Sequence, residues 1–187
     1  NGKDLSGWHN PYNRGTATVV GDEIHLVSKE GMFFLCTEKK YSDFIFECEV
    51  KMPKGKSNSG FLFRCHVKPN KAFGYQAEVD PSDRKWSGGL YDQSRRGWIH
   101  PIKNSKNQPD KAYEAKHWLA ERKNAFKRFE WNKYKIRCVG NSIKIWVNGV
   151  LTTDLTDDKD AEGFIGLQHH GEKNKLYKFR NVKITEL

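Results

Sequence analysis

Two carboxylates and an amide recur at every second residue of Gly74-Tyr75-Gln76-Ala77-Glu78-Val79-Asp80. Side chains alternate across an extended strand, so Gln76, Glu78 and Asp80 share one face, with Tyr75, Ala77 and Val79 on the other. In the run before it, Phe61, Phe63 and Cys65 alternate with Leu62, Arg64 and His66, which sets a cation where a neighbouring carboxylate can meet it. The same parity applied to residues 164–170 puts Phe164, Gly166, Gln168 and His170 on one face and Ile165, Leu167 and His169 on the other. A carboxylate and an imidazole on one surface can move protons directly, or can hold a divalent cation that polarises a carbonyl. Glu78, His170 and Asp80 are therefore the candidate catalytic residues, with Glu78 and His170 as candidate ligands of one divalent metal ion. The competing reading is that alternating polar residues are the solvated face of an antiparallel sheet.

The elements that must position these groups read almost entirely as strands. Thr16–Val20 and Glu23–Val27 form a hairpin about Gly21-Asp22, and Met32–Thr37 and Phe44–Met52 follow. In the second of these, Phe44, Phe46, Cys48, Val50 and Met52 point inward and Ile45, Glu47, Glu49 and Lys51 outward. Lys54–Gly60 is a turn, and Gly88-Gly89 permits a bulge or the close approach of another chain or ligand. Strands resume at Tyr134–Val139, Ser142–Val147, Val150–Leu155, Gly163–His170 and Leu176–Glu186, with hairpin signals at Gly140-Asn141 and Asn148-Gly149. Between them, Pro109 to about Phe126 has helical periodicity, with Ala112, Ala115, Leu119, Arg122 and Phe126 on one stripe. Regularly spaced short strands indicate a sandwich or jelly roll, and 187 residues without an internal repeat or linker suit a single domain, 1–187.

Composition narrows the function classes. No apolar run is long enough for a membrane-spanning helix, and 13% aromatic residues argue against disorder. The net charge of +10 is concentrated: Gln93–Arg137 holds thirteen lysines and arginines against four acids. No zinc-ligand spacing, RNA-recognition signature or basic zipper accompanies this charge, so a solvated basic face is expected rather than a nucleic-acid partner. Cys36, Cys48, Cys65 and Cys138 lack metal-ligand spacing and are expected as buried thiols, with one or two disulfides left open. The opening Asn1-Gly2-Lys3-Asp4-Leu5 has no signal-peptide pattern and reads as the start of a processed or trimmed chain.

Four later segments carry a resemblance. In order and spacing, Trp131-Asn132-Lys133-Tyr134-Lys135-Ile136, Ile143-Lys144-Ile145-Trp146-Val147-Asn148-Gly149-Val150, Gly163-Phe164-Ile165-Gly166-Leu167-Gln168-His169-His170-Gly171 and Phe179-Arg180-Asn181-Val182-Lys183-Ile184 resemble the 3-keto-disaccharide hydrolase family. The opening Asn1-Gly2-Lys3-Asp4-Leu5-Ser6-Gly7-Trp8 is similar to its N-terminal signature, so the resemblance spans essentially the whole chain. Residues 74–82, 86–92 and 95–98 resemble a subgroup signature, from which Gln93 departs, since an acid is expected after Tyr91-Asp92. The helical insert before Trp131 is also longer and more basic than the family pattern. The resemblance implies an all-β, concanavalin A-like jelly-roll sandwich of two antiparallel sheets, here with one inserted helix, and a carbohydrate site on the concave face. It also implies a secreted or periplasmic glycosyl hydrolase of glycan-degrading bacteria.

A 3-keto sugar suits the polar face. Its C3 carbonyl acidifies the C2 proton, so the substituent at C1 leaves by elimination before water adds, with Glu78 and His170 binding a metal or acting as general base. The ordinary two-carboxylate route would pair Glu78 with Asp80. Residues two apart on a strand have Cα atoms about 6.5–7 Å apart but approach a sugar from one side, which disfavours that route. The expected substrate-binding residues are Arg64, Gln76, Tyr91, Gln168 and Trp86. Arg64 is read either as a clamp on hydroxyls or an enolate, or as the ion-pair partner of Glu78. Tyr91, beside Gly88-Gly89, is the best of the aromatic candidates Trp86, Tyr91 and Trp98. Arg95 and Arg96 are expected on a solvated loop. A non-catalytic carbohydrate-binding module is the alternative, because a fold does not fix a function. A polyanion-binding domain would rest on the basic segment alone.

Overall fold

A computed structural model of the chain describes residues 1–101 and 118–187. Its strands are β1 (Trp8–His9), β2 (Thr16–Val20), β3 (Glu23–Val27), β4 (Phe33–Thr37), β5 (Phe44–Lys51), β6 (Ser59–Lys68) and β7 (Lys71–Val79). After these come β8 (Leu90–Gln93), β9 (Gly97–His100), β10 (Trp131–Val139), β11 (Ser142–Val147), β12 (Val150–Thr156), β13 (Phe164–His169) and β14 (Leu176–Glu186). They make two seven-stranded sheets, in the orders β1-β4-β13-β6-β7-β8-β9 and β12-β11-β10-β5-β14-β3-β2. Neighbours pair antiparallel, and the two-sheet sandwich expected from the sequence is observed.

Alternation sets the layers. Along β5, Phe44, Phe46, Cys48 and Val50 are buried while the residues between them are more exposed. Phe46 and Phe179 of the second sheet, with its Tyr134, meet Phe61 of the first at ring-centroid distances of 5.7, 5.9 and 5.0 Å. Truncating such a buried phenylalanine to alanine typically costs about 3–5 kcal/mol. Strands β4, β6 and β7 are buried on both faces over most of their length. The polar residues of β7 share this burial, with Gln76 and Glu78 only 2% and 4% exposed.

A bulge corrects the expected alternation of β6. Register shifts between Phe63 and His66, opposite Gly74, and Arg64 adopts a positive φ of 44°. An extra residue in one strand breaks the two-residue period, so Arg64 leaves the face that carries Leu62. The residue is 0% exposed, and its guanidinium donates to the carbonyls of Ser42 (2.8 Å), Gly140 (2.7 Å) and Asp160 (3.3 Å) and to Asp43 Oδ1 (3.0 Å). Arg64 is thus neither a clamp in a shared site nor the ion-pair partner of Glu78; it ties loops together elsewhere.

Arg95 also departs from expectation. Both it and Arg96 reach the fully buried Asp92, Arg95 through a 2.7 Å bond and Arg96 through a 2.5 Å bond. Arg95 also pairs with Asp160, and Arg96 with Asp157 at 2.9 Å. The expectation of a solvated loop therefore fails for Arg95, whose side chain is largely covered between Asp92 and Asp160, and holds for Arg96, which stays exposed in the turn while pairing with Asp92 and Asp157. The four cysteines are free and buried, as the default reading had it.

The first half of the expected helix, residues 109–117, lies outside the described residues. In its described part, α1 covers Ala120–Ala125, while Leu119 is extended at φ −54°, ψ 148° and 53% exposed. The stripe predicted through Leu119 therefore does not continue, and Phe126 is already extended.

Candidate functional site

A cleft of about 610 Å³ opens on the outer face of the first sheet. Gln76 and Glu78 of β7 form part of its floor, Gln168 of β13 another part, and Asp80 and His170 stand just beyond the ends of those strands. Tyr91 of β8 and Trp98 of β9 also line it. Parity therefore gathered Gln76, Glu78, Asp80, Gln168 and His170 on one surface, and Tyr91, singled out for its place beside Gly88-Gly89, lines it with them. His169 faces the core, where it is buried and stacks between Phe33 and Tyr177 at 5.6 and 4.1 Å.

Trp86 is a correction. It is 8% exposed and does not line the cleft, because its indole packs edge-on against Trp98 at 4.8 Å and beneath the Arg84 guanidinium at 5.0 Å. Trp98, 4.8 Å from the same guanidinium, is the aromatic that reaches the cleft beside Tyr91.

Three contributors were not singled out from the sequence. Arg84 donates to Glu78 Oε1 (2.9 Å) and to Asp80 Oδ2 (2.7 Å), closing a turn in which Ser82 N donates to Asp80 Oδ1 at 3.0 Å. Asn58 donates to Glu78 Oε1 at 2.8 Å. Glu172 accepts from His170 Nδ1 at 2.9 Å and from the Tyr177 hydroxyl. The Asp80-to-Arg84 spacing of four is a signal of a closed acid-base turn, but strand parity is silent on loops. Glu172 comes back beside His170 through Gly171, whose φ of 112° belongs to glycine and where a Cβ would lie 2.7 Å from the Gly31 carbonyl carbon.

The electrostatics separate the two candidate proton carriers. Burial pushes the Glu78 carboxyl above its usual range, and Asp80 adds to this, against hydrogen bonds from Asn58 and Gln76 and the charge of Arg84. For Asp80, burial works upward too, yet the bonds from Ser82 and Arg84 hold it below its usual value. The hydrogen bond that His170 donates to Glu172 raises it above an ordinary imidazole, and the charges of Glu172 and Glu78 act in the same direction. The cleft therefore pairs a carboxyl of enhanced basicity with an imidazole biased toward its protonated form.

The donor set does not fit the metal ion envisaged between Glu78 and His170. The Glu78 carboxylate is engaged by Asn58, Gln76 and the Arg84 guanidinium, which also occupies Asp80. His170 is turned to Glu172 through Nδ1, and among the described residues no group of three His, Cys, Asp or Glu is arranged to hold a cation. A cation beside Glu78 would face the guanidinium charge directly.

Residues 1–185 match the 3-keto-alpha-glucoside-1,2-lyase-like domain. The chain belongs to this family. The resemblance read from the sequence is thereby confirmed. This lyase-like domain also resembles solved structures at low identity. The carbohydrate binding module CBM66 from Bacillus subtilis is 19% identical, with 96% of each chain covered and a TM-score of 0.68. A presumed glycosyl hydrolase from Parabacteroides distasonis is 17% identical, covering 100% of this chain and 91% of its own, at a TM-score of 0.67. A Bacillus subtilis protein of unknown function with a galectin-like fold gives 10% identity, coverages of 97% and 90%, and a TM-score of 0.62. These likenesses show the fold, the jelly-roll sandwich of the concanavalin and galectin type. No curated protein matches the sequence.

Proposed function

We propose that this lyase-like domain cleaves 3-keto glycosides by removing the proton next to the ketone, with Glu78 as base and His170 as acid. One observation carries the reading: Glu78 and His170, far apart in the chain, line one cleft, the carboxyl made more basic by burial and the imidazole held toward its protonated form by Glu172. Glu78 takes the C2 proton, and the C2–H electron pair moves toward the C3 carbonyl to give an enolate on the wall that bears Arg84. As the enolate collapses, the C1–O bond breaks, and protonated His170 gives its proton to the departing oxygen. The product is a 1,2-unsaturated 3-keto sugar, to which water adds to complete hydrolysis. The unsaturation forms without a second carboxylate, so Asp80 serves to hold Arg84 and the turn.

Turnover of a 3-keto-α-glucoside in deuterium oxide tests this. Cleavage with deuterium at C2 of the product, and none of the unoxidised glucoside, is the expected result. Binding of the ketone without cleavage would overturn the reaction and leave the second reading, a carbohydrate-binding module, which the likeness to CBM66 favours. Action on glycans outside the cytosol goes with the proposal, and cell fractionation checks it.

A further inference from the structure

Two buried amide oxygens on the cleft floor accept no hydrogen bond. Gln76 and Gln168 are 2% and 1% exposed, both line the cleft, and Oε1 of each is without a partner. Their nitrogens are engaged: Gln76 Nε2 donates to Glu78 Oε2 at 3.2 Å, and Gln168 Nε2 to Met32 Sδ at 3.1 Å. The bond to Glu78 settles the orientation of Gln76, since turning the amide over would set its oxygen against a carboxylate. The two amides stand on strands that flank β6, with Gly60 between them on that strand. A Cβ on Gly60 would lie 2.4 Å from Gln76 Cδ, so only glycine lets the amide lie down on the floor.

Buried polar atoms are almost always satisfied, and a pair left open in a cleft is satisfied by what enters it. We propose, on the reading above, that Gln76 Oε1 and Gln168 Oε1 each take a free hydroxyl of the pyranose ring and thereby fix the direction of the ketone. A ketone oxygen has no hydrogen to give and cannot sit at either amide oxygen. The hydroxyl edge therefore lies on the floor, and the C3 carbonyl turns toward the donors of the wall, Arg84, Lys56 and His170. The same two oxygens, with Glu78 and Asp80 beside them, repel an anionic sugar edge. The substrate class is a neutral 3-keto glycoside with free ring hydroxyls, and uronic acids are rejected.

The test measures affinity calorimetrically on the wild-type protein for a 3-keto glucoside, its 4-deoxy and 6-deoxy forms and its 6-carboxylate. At least one deoxy form should bind about 10- to 100-fold more weakly, because its absence leaves a buried acceptor open, and the carboxylate should bind more weakly still. In Gln76→Met or Gln168→Met the parent should weaken while the discrimination at the matching hydroxyl disappears. Deoxy forms binding within about twofold of the parent on the wild-type protein would overturn the inference whether or not the variants fold. Hydroxyl discrimination without turnover would sink the proposed reaction and leave this site standing. Turnover without discrimination would do the reverse.

Discussion

Nδ1 of His170 lies 2.9 Å from Oε1 of Glu172, whose other oxygen accepts the hydroxyl of Tyr177. The carboxylate holds one imidazole nitrogen and leaves the other for the cleft, the arrangement by which an acid-base histidine is oriented. Burial alone would raise the Glu172 carboxyl, but the bonds from His170 and Tyr177 hold it below its usual value, so it stays charged beside the ring.

The His170-Glu172 pair predicts the alkaline limb of the pH profile. Activity on a 3-keto glucoside requires Glu78 ionised and His170 protonated, so it rises as pH climbs through the elevated Glu78 value and falls as pH passes the elevated His170 value. His170→Ala should lose about 10²- to 10⁴-fold in kcat. Glu172→Gln removes the main cause of the raised imidazole and should move the alkaline limb to lower pH. An unmoved limb in that variant would show that His170 is not the acid.

The guanidinium of Arg84, 2.9 Å from Glu78, predicts the acid limb. Arg84→Met withdraws a favourable charge from a carboxyl already raised by burial, so the Glu78 value should climb and the acid limb should shift to higher pH. A profile identical to wild type would separate Arg84 from Glu78 in function.

Arg64 predicts a loss of stability without a loss of chemistry. Arg64→Met takes the donor from the carbonyls of Ser42, Gly140 and Asp160, of which only Asp160 is a buried residue, at about 1–3 kcal/mol for a buried acceptor left unsatisfied and less for the two exposed ones. Denaturant unfolding should show the destabilisation. The folded fraction should keep its kcat, since Arg64 lies outside the cleft.

The acid side of the stability curve follows from the aspartates at the end of the first sheet. Burial works to raise Asp157 and Asp160, but hydrogen bonds from Arg96 and Tyr75 and from Arg95 and His66 hold both below the usual 3.8. Lowered folded values contribute stability that is complete above the unfolded value and is lost as pH falls through the folded ones. Glu78 has the opposite sign: raised above 4.5, it favours the fold only while protonated, and that contribution fades as pH rises through its folded value. The melting temperature should therefore fall steeply below about pH 4, and the fall should be shallower in Asp157→Asn. Equal slopes in the two proteins would remove this network as the cause.

The crowded donor set around Glu78 predicts indifference to chelators. Turnover after exhaustive treatment with EDTA should match the untreated enzyme, and a loss restored by a divalent cation would refute the acid-base assignment.

Much of this site was legible before any coordinates, because the pleat of a strand sends alternate side chains to opposite faces whatever surrounds it. That regularity sufficed to gather Gln76, Glu78 and Asp80 and to divide His170 from His169. It failed at Arg64, where one extra residue in β6 reset the period, and a bulge depends on pairing with Gly74 across the sheet. It was silent on Arg84, Asn58 and Glu172, whose positions come from loops folding back over β7 and β13. The two-sheet architecture and the family were written in local pattern and motif order. That a carboxylate and an imidazole at distant points of the chain line one cleft, and that two glutamine oxygens lie open beneath them, was decided by packing alone, since only the closed sandwich brings β13 and β7 to either side of β6.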